Sequence, residues 1–334
     1  MKKLFLITND KISGKKNKYT SNNDLDNIIS CLNDDYSLQL ICRKSSKKFE
    51  YLIDEKFNFC KILDIKEKKI NIFMISITPY NFFCLLKLIL LRKKLKGFVF
   101  LRSDGFLEYK IRYGIFGYFL YFLMFCVIKK RLKILSVSKK FKHVNVKKTL
   151  HPSELTSSWL KKKKLTKRFK ADFLYLGRFK KEKGVDYLID IFKKNFYKFK
   201  LKVVGTEKRY IKKEYYSKNI NFIGPINNQK KLIELYDTSK IFILPSYTEG
   251  FPKVISESLA RLRPVIIFNE IKHVLNNRKG IFVCKRDIKN INKIINFILN
   301  NYKNIEKMIS KNKLYTKNNF KRELLNSIQN EFTN

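Results

Sequence analysis

Glu249 and Glu257 stand eight positions apart in the stretch "EGFPKVISE". The segment before them, "KIFILPS", reads as a strand closing on the turn residues Pro245 and Ser246. In "PKVISESLARLR" the apolar Val254, Ile255, Leu259 and Leu262 fall at helical spacing, and Pro252 suits the first helical position, where an N–H would lack a partner anyway. A helix is therefore predicted to open just after Gly250 and Phe251, at the end of a strand. Its unpaired backbone N–H groups and the positive end of its dipole lie where open α/β sheets hold anionic ligands.

A rise of 1.5 Å per residue puts Glu257 about 8 Å along the axis from Pro252, and with the loop added the two carboxylates are on the order of 10 Å apart or more. A glycoside-hydrolysing pair stands roughly 5 to 9.5 Å apart. The spacing suits the two ends of a long ligand instead, such as a nucleotide sugar, with one glutamate accepting from sugar hydroxyls and the other from ribose hydroxyls. An exposed ion pair between Lys253 and Glu257, worth on the order of a few tenths of a kcal/mol, accounts for Glu257 equally well on spacing alone.

A second stretch, "FLYLGRFKKEKGVDYLIDIFKK" (residues 173–194), adds cations of matching use. A buried strand ends at Gly177, Arg178 follows, and Lys183 and Gly184 precede a helix with Val185, Leu188, Ile189 and Phe192 on its apolar face. Two cations at a strand end clamp a diphosphate through charge-assisted hydrogen bonds. Taken alone, a charged loop is a weak signal.

Other chemistries leave no trace. There is no GxGxxG, no HExxH and no GxSxG, and "NDKISGKK" fails as a P-loop at Asn9 and Lys16. The three histidines, His143, His151 and His273, are isolated, and a structural or exposed role accounts for them better than a ligand or base. The six cysteines are scattered without a CxxC pair, so neither a zinc site nor a disulfide framework is suggested, which fits a reducing cytoplasm.

The elements that must position these groups appear as short, continuous apolar runs alternating with helix-length segments. "KLFLIT", "SLQLIC", "KINIFMISIT", "KGFVFLRS" and "LKILSVS" form one series; "DFLYLG", "KLKVVG", "NINFIG", "SKIFILPS", "PVIIFN" and "GIFVC" form a second. Continuous runs suit strands buried on both faces of a parallel sheet, so the chain is predicted to be α/β twice over. A polar, Lys-rich seam separates the series, with the boundary near Leu165: residues 1–165, then residues 166–334. The closing "NFKRELLNSIQNEF" is an amphipathic helix with Phe320, Leu324, Leu325 and Ile328 on one side, able to pack back on the first domain.

The 334 residues carry 73 Lys and Arg against 28 Asp and Glu, a net charge of +45 that draws polyanions: nucleic acid, anionic lipid or phosphorylated small molecules. A and T coding bias explains the lysines as well, so charge alone names no partner. "MKKLFLITND" is too short in apolar residues for a signal peptide and reads as a first strand. The longest apolar run, "IFGYFLYFLMFCVI" (residues 115–128), falls short of the roughly 20 residues that span a bilayer. It reads as a core helix or an interfacial one, with Lys110 and Arg112 before it and Lys129, Lys130, Arg131 and Lys133 after.

In order and content, "GRFKKEKG", "KLKVVG", "FIGPI", "LIELYDTSKIFILPS" and "EGFPKVISE" closely resemble the C-terminal half of glycosyltransferase family 4, the glycosyl transferases group 1, over residues 170–300. The resemblance implies a GT-B fold, two Rossmann-like parallel-sheet domains facing a central cleft, and a retaining, metal-independent enzyme without a cofactor. Carried over, Arg178 and Lys183 in "GRFKKEKG" would hold the diphosphate and stabilise it as it leaves. Glu249 would contact the donor sugar and Glu257 the ribose. Gly177, Gly250 and the amides around Phe251, Lys253 and Val254 would complete the donor site.

Three departures from the family pattern stand out. Leu262 takes the place of a Gly two residues before Pro264, "NDKISGKKNKYTSNND" replaces a glycine-rich loop after the first strand, and "FLRSDGFLEY" stands where a His is usual. Asp104 is the candidate for that last role, although an Asp capping the turn at Gly105 explains it as well.

The leading expectation is transfer of a sugar from a nucleotide diphosphate donor to a glycan or glycolipid acceptor, as in lipopolysaccharide, capsule or exopolysaccharide synthesis. The setting would be cytoplasmic and peripheral, on the anionic inner face of the cell membrane. An inactive glycan- or nucleotide-binding homologue is the alternative, motivated by the altered first loop. A basic nucleic-acid-binding protein comes third, because no RNP, zinc or helix-turn-helix signature accompanies the charge.

Overall fold

The structure, a computed structural model, describes residues 1–334 except 16–17, 22, 47–50, 54–56, 140, 142–143, 145, 147, 162–168, 208, 210 and 333–334. Leu165 and His143 lie outside the described residues. The chain forms two compact units, Met1–Pro152 with Lys317–Asn334, and Ser153–Thr316. The second begins before residue 165 because Leu155 and Trp159 are already buried in its core.

In the first unit the strands are β1 (Lys2–Lys15), β2 (Lys18–Ser21), β3 (Tyr36–Lys44), β4 (Tyr51–Ile53), β5 (Asn58–Phe59), β6 (Lys69–Ile75), β7 (Lys94–Leu101), β8 (Lys133–Ser136) and β9 (Lys148–Thr149). β5, β3, β1, β6, β7, β8 and β9 pair in parallel in that order. The five apolar runs expected as strands are β1, β3, β6, β7 and β8. The helices are α1 (Asn23–Leu32), α2 (Pro79–Leu90) and α3 (Gly105–Lys129). The C-terminal helix of the chain, Lys317–Phe332, also belongs here: Phe320, Leu324 and Ile328 are fully buried, the Phe320 ring lies 6.4 Å from that of Phe100 on β7, and Lys133 pairs with Glu331 at 2.6 Å.

Two features were not legible in the sequence. In place of a loop after the first strand, β1 runs on past a bulge between Ile7 and Lys11 and turns into an antiparallel hairpin with β2, Ser13 facing Thr20. β4 extends that hairpin by antiparallel pairing with β2.

The second feature is α3. Gly114 breaks it with φ 68 and ψ −153, a backbone state open to glycine and closed to most side chains. A straight helix would hold Phe106 and Phe125 about 28 Å apart, yet their rings meet at 5.3 Å, and Tyr109 meets Tyr121 at 5.1 Å. α3 is therefore a helical hairpin with its tip at Gly114. Gly117 permits the close approach of the arms, since a Cβ there would lie 2.4 Å from the Tyr109 carbonyl oxygen. Residues 115–128 supply the second arm, buried at Tyr121, Met124, Phe125 and Ile128 and exposed at Ile115, Phe116, Phe119, Phe122 and Leu123.

The second unit holds α4 (Ser157–Leu160), β10 (Ala171–Leu176), α5 (Val185–Lys194), β11 (Leu201–Val204), β12 (Ile220–Ile223), α6 (Gln229–Asp237), β13 (Ser239–Leu244), α7 (Lys253–Ala260), β14 (Val265–Phe268), β15 (Ile281–Cys284), α8 (Ile288–Asn300) and α9 (Tyr302–Ser310); the C-terminal helix is then α10. All six strands are parallel, ordered β12-β11-β10-β13-β14-β15, and each matches an expected run. Val265, Ile266, Ile267 and Phe268 on β14 are all fully buried, each side chain contributing about 1.5–3 kcal/mol of apolar burial. This explains why their run shows no alternation.

Candidate functional site

β10 and β13 are neighbours, but from β10 the chain moves outward to β11 while from β13 it moves the other way to β14. The loops beyond their C-terminal ends therefore part and leave a crevice, the place where open α/β sheets bind ligands. Gly177, Arg178 and Lys183 lie on the first loop and Glu249 to Val254 on the second, so the structure brings the two sequence stretches together.

The loops are tied at three points. Lys183 occupies a short 3-10 turn closed by Gly184 at φ 64, and a Cβ on Gly184 would lie 2.1 Å from the Pro245 carbonyl oxygen, so the loops touch through backbone. The Tyr247 N–H donates to the Glu182 carbonyl at 2.9 Å. Lys183 Nζ donates to Glu249 Oε1 at 2.7 Å, with the side chains 21% and 11% exposed. Removing either partner of a pair this sheltered leaves the other charge poorly solvated.

Glu249 is held further. Its Oε1 accepts from Ser246 Oγ at 2.7 Å, and its backbone carbonyl accepts from His273 Nε2 at 2.8 Å. His273 thus has the structural role expected of it. Arg286 braces the loop from behind, with Nη2 donating to the Pro245 carbonyl at 2.6 Å and the guanidinium 4.1 Å from the Tyr247 ring centre and 4.5 Å from that of Phe268. On the other loop the buried Tyr175 hydroxyl donates to the Arg178 carbonyl at 3.2 Å, and burial, with the Glu249 charge nearby, raises that hydroxyl's pKa. The Arg178 side chain is exposed.

α7 begins at Lys253, one residue later than expected, with Pro252 as its cap. From Ile255 to Ala260 every residue is buried, an unusual setting for Ser256, Glu257 and Ser258. Each has a partner. Ser256 Oγ accepts from Arg278 Nη1 at 2.9 Å, Ser258 Oγ donates to the Arg263 carbonyl at 3.1 Å, and Glu257 Oε2 accepts from Tyr236 Oη–H at 2.8 Å. Lys253 pairs with Glu154. Glu257 is 8% exposed, so the reading of it as half of an exposed surface pair is corrected: it is a buried carboxylate on a tyrosine. The Tyr236 hydroxyl, fully buried beside this charge, has its pKa raised well above the ordinary value, burial being the larger cause.

Burial likewise lowers the Arg278 guanidinium to about 10; its plane lies 5.2 Å from the ring centre of Phe251, fixing that side chain at the mouth of α7. Leu262, where the family pattern has Gly, adopts φ 58. The leucine thus carries left-handed strain of about 1 kcal/mol.

Tyr236, Tyr175, Arg278 and Arg286 were not singled out from sequence, and Ser246 only as a turn residue. Each is an ordinary residue type in an ordinary run, and only tertiary placement gives it a role. The Thr206 hydroxyl, buried after β11, has no hydrogen-bond partner among the described residues.

In the first unit, Asp104 Oδ1 accepts from the Leu107 N–H at 3.2 Å and caps α3, the turn role weighed for it above. Next to it Arg102 Nε donates to Ser76 Oγ at 3.3 Å and its guanidinium lies 3.7 Å from Asp10, whose Oδ2 accepts from Thr8 Oγ1 at 2.8 Å. Among the described residues no group of three or more His, Cys, Asp or Glu is placed to hold a metal ion.

The glycosyl transferases group 1 family model matches residues 157–315, almost the whole second unit. An uncharacterized glycosyltransferase of Haemophilus influenzae is 29% identical over 53% of this chain and 52% of its own length. The capsular polysaccharide biosynthesis glycosyltransferase CapM of Staphylococcus aureus is 34% identical over 38% of this chain and 36% of its own. The matches thus span about half or less of these relatives. Among solved structures, sucrose-phosphate synthase of Thermosynechococcus elongatus has a TM-score of 0.72 at 12% identity, covering 100% of both chains. Anabaena HepE in complex with UDP-glucose has 0.69 at 11%, covering 98% of this chain and 99% of its own. Such identities bear on fold alone. Residues 157–315 are thus similar to the glycosyl transferases group 1 family, and the two parallel-sheet α/β units have the GT-B fold.

Proposed function

We propose that the chain is a retaining glycosyltransferase that moves a sugar from a nucleoside diphosphate donor to a glycan or lipid-linked acceptor of the cell surface. The observation that carries this reading is the convergence of Lys183 on Glu249 at the β10–β13 crevice, with Glu257 fixed on Tyr236 inside the helix that opens there. The solved HepE complex with UDP-glucose and the capsular role named for CapM support the choice of donor and acceptor classes.

Lys183 and Glu249 neutralise each other. A donor replaces that contact: Lys183, with Arg178, turns to the diphosphate, and Glu249, still held by Ser246, accepts from a sugar hydroxyl. Glu257 accepts from the ribose, and the amides at Phe251, Lys253 and Val254 meet the phosphates. The bond from the anomeric carbon to the diphosphate oxygen then breaks. The acceptor oxygen bonds to the same face of the sugar, and its proton passes to the departing phosphate. Arg178, Lys183 and the α7 amides stabilise the growing negative charge; one such donor is worth about 3–4 kcal/mol. The net charge of +45 would hold the enzyme on the anionic inner face of the membrane.

A second reading, a binding homologue without turnover, draws on the β1–β2 hairpin standing in place of a glycine-rich loop. Product analysis separates the two. Incubation with the donor and an acceptor mixture should give a product that keeps the donor's anomeric configuration, and Glu249→Ala should abolish it. An inverted product, or donor binding by the wild type without turnover, would reject the transferase reading as stated.

A further inference from the structure

Of the 17 large hydrophobic residues exposed on the described surface, eight lie on α3, and the most exposed of these, Ile115 at 75% and Phe116 at 73%, directly follow the hairpin break at Gly114. Tyr113, just before the break, is 61% exposed and Phe119, one turn on, 57%. By length and apolarity the residues of α3 would suffice for a membrane span. The fold-back excludes that: the first arm, Gly105 to Tyr113, is about 13 Å long, less than half of a bilayer core of about 30 Å. What the hairpin presents is an apolar tip with cations at set distances behind it. Lys110 is exposed one turn behind the tip, and Lys129, Lys130 and Arg131 are exposed at the base of the second arm.

We propose that the α3 hairpin tip, Tyr113 to Phe119, inserts into one leaflet of an anionic lipid bilayer. The cations select the occupant. A second copy of this chain would bring another strongly basic surface and be repelled, whereas anionic head groups meet Lys110 and the base cluster while acyl chains cover Ile115, Phe116 and Phe119. Lys110 sets the depth, since its ammonium stays among head groups while the tip, about 6 Å further along the arm, reaches the acyl boundary.

The inference rests on the membrane location proposed above, but differs in kind. Charge alone predicts binding that salt reverses; insertion predicts a component that salt does not reverse.

The chain has a single tryptophan, Trp159, buried in the second unit, so wild-type fluorescence serves as a quiet background. Phe116→Trp is to be mixed with vesicles of phosphatidylglycerol and phosphatidylcholine carrying bromine on the acyl chains. Expected are a blue shift and strong quenching for Phe116→Trp, little quenching for the wild type, and quenching that survives a wash in high salt. Ile115→Asp combined with Phe116→Asp should weaken vesicle binding about tenfold or more while leaving circular dichroism and soluble-donor binding unchanged.

Binding that salt fully reverses, without quenching, overturns the insertion and leaves the charge-based location standing. Absence of binding to any vesicle overturns both. Concentration-dependent dimerisation that shields the introduced indole without lipid assigns the tip to a second copy and likewise overturns the proposal. None of these outcomes alters the turnover test of the donor site, which needs no membrane.

Discussion

The C-terminal edges of the two parallel sheets begin from the same architecture and end differently. In the second unit, the loops after β10 and β13 are stitched together by backbone contact at Gly184, by the Tyr247 N–H on Glu182, and by the Lys183–Glu249 pair. Two carboxylates there are oriented by neutral hydroxyls, Glu249 by Ser246 and Glu257 by Tyr236. In the first unit, the edge after β1 and β7 directs its carboxylates to other ends. Asp104 caps a helix, and Asp10 lies by Arg102 and Thr8. The second unit thus gathers oriented carboxylates and a paired cation at this edge, whereas the first uses its carboxylates to cap and pair. Under the proposed function, this difference places the charge chemistry in the second unit.

The sharpest way to break this comparison is Lys183→Ala. It should lower turnover by about 10²–10³ and also destabilise the fold, because Glu249 is left sheltered without its cation. Steady-state rates and a thermal melt read both effects. Retained turnover would return the site to an ordinary ion pair.

Next in size is Tyr236→Phe. Losing the hydroxyl on Glu257 should raise donor KM about tenfold with little change in kcat. A fall in kcat at constant KM would mean that Glu257 acts on the reacting bond instead of holding the ribose.

Asp104 tests the other side. Asn caps a helix as well as Asp does, so Asp104→Asn should keep both melting temperature and turnover, while Asp104→Ala should cost about 1 kcal/mol of stability. A hundredfold loss of rate in the Asn variant, with an unchanged melt, would make Asp104 catalytic and break the contrast between the units.

Smallest is Leu262→Gly, expected to change stability by less than about 1 kcal/mol. Relief of the left-handed strain is offset by lost packing and a more flexible unfolded chain. Denaturant unfolding measures it, and a loss above about 2 kcal/mol would show that the leucine packs well enough to outweigh its backbone.

These residues also show what a sequence discloses. The strands were legible because burial on both faces writes itself as unbroken apolar runs, as in "PVIIFN", and the loops after β10 and β13 because Gly177 and the turn residues Pro245 and Ser246 end those runs; a donor role for these loops was preferred over an ordinary ion pair only through the family resemblance. The α3 hairpin was hidden, since Gly114 is one glycine just before an apolar run and the fold-back depends on Tyr109, Gly117 and Tyr121 meeting across the turn. Tyr236 was hidden for a different reason: on α6 it looks like any core tyrosine, and its role comes from α7 lying over it. The expected opening of α7 was off by one residue because Pro252, fit for a first turn by its φ, has the extended ψ of 111 that belongs to a cap.

The central claim is that the β10–β13 crevice is a cradle for a nucleoside diphosphate sugar. Thermal denaturation against a panel of such sugars tests it most directly, because a ligand that binds only the native state raises stability by mass action. At least one sugar nucleotide should raise the melting temperature of the wild type, with the shift lost in Lys183→Ala and reduced in Tyr236→Phe. A flat panel for the wild type, or a shift equally large in both variants, would contradict the account.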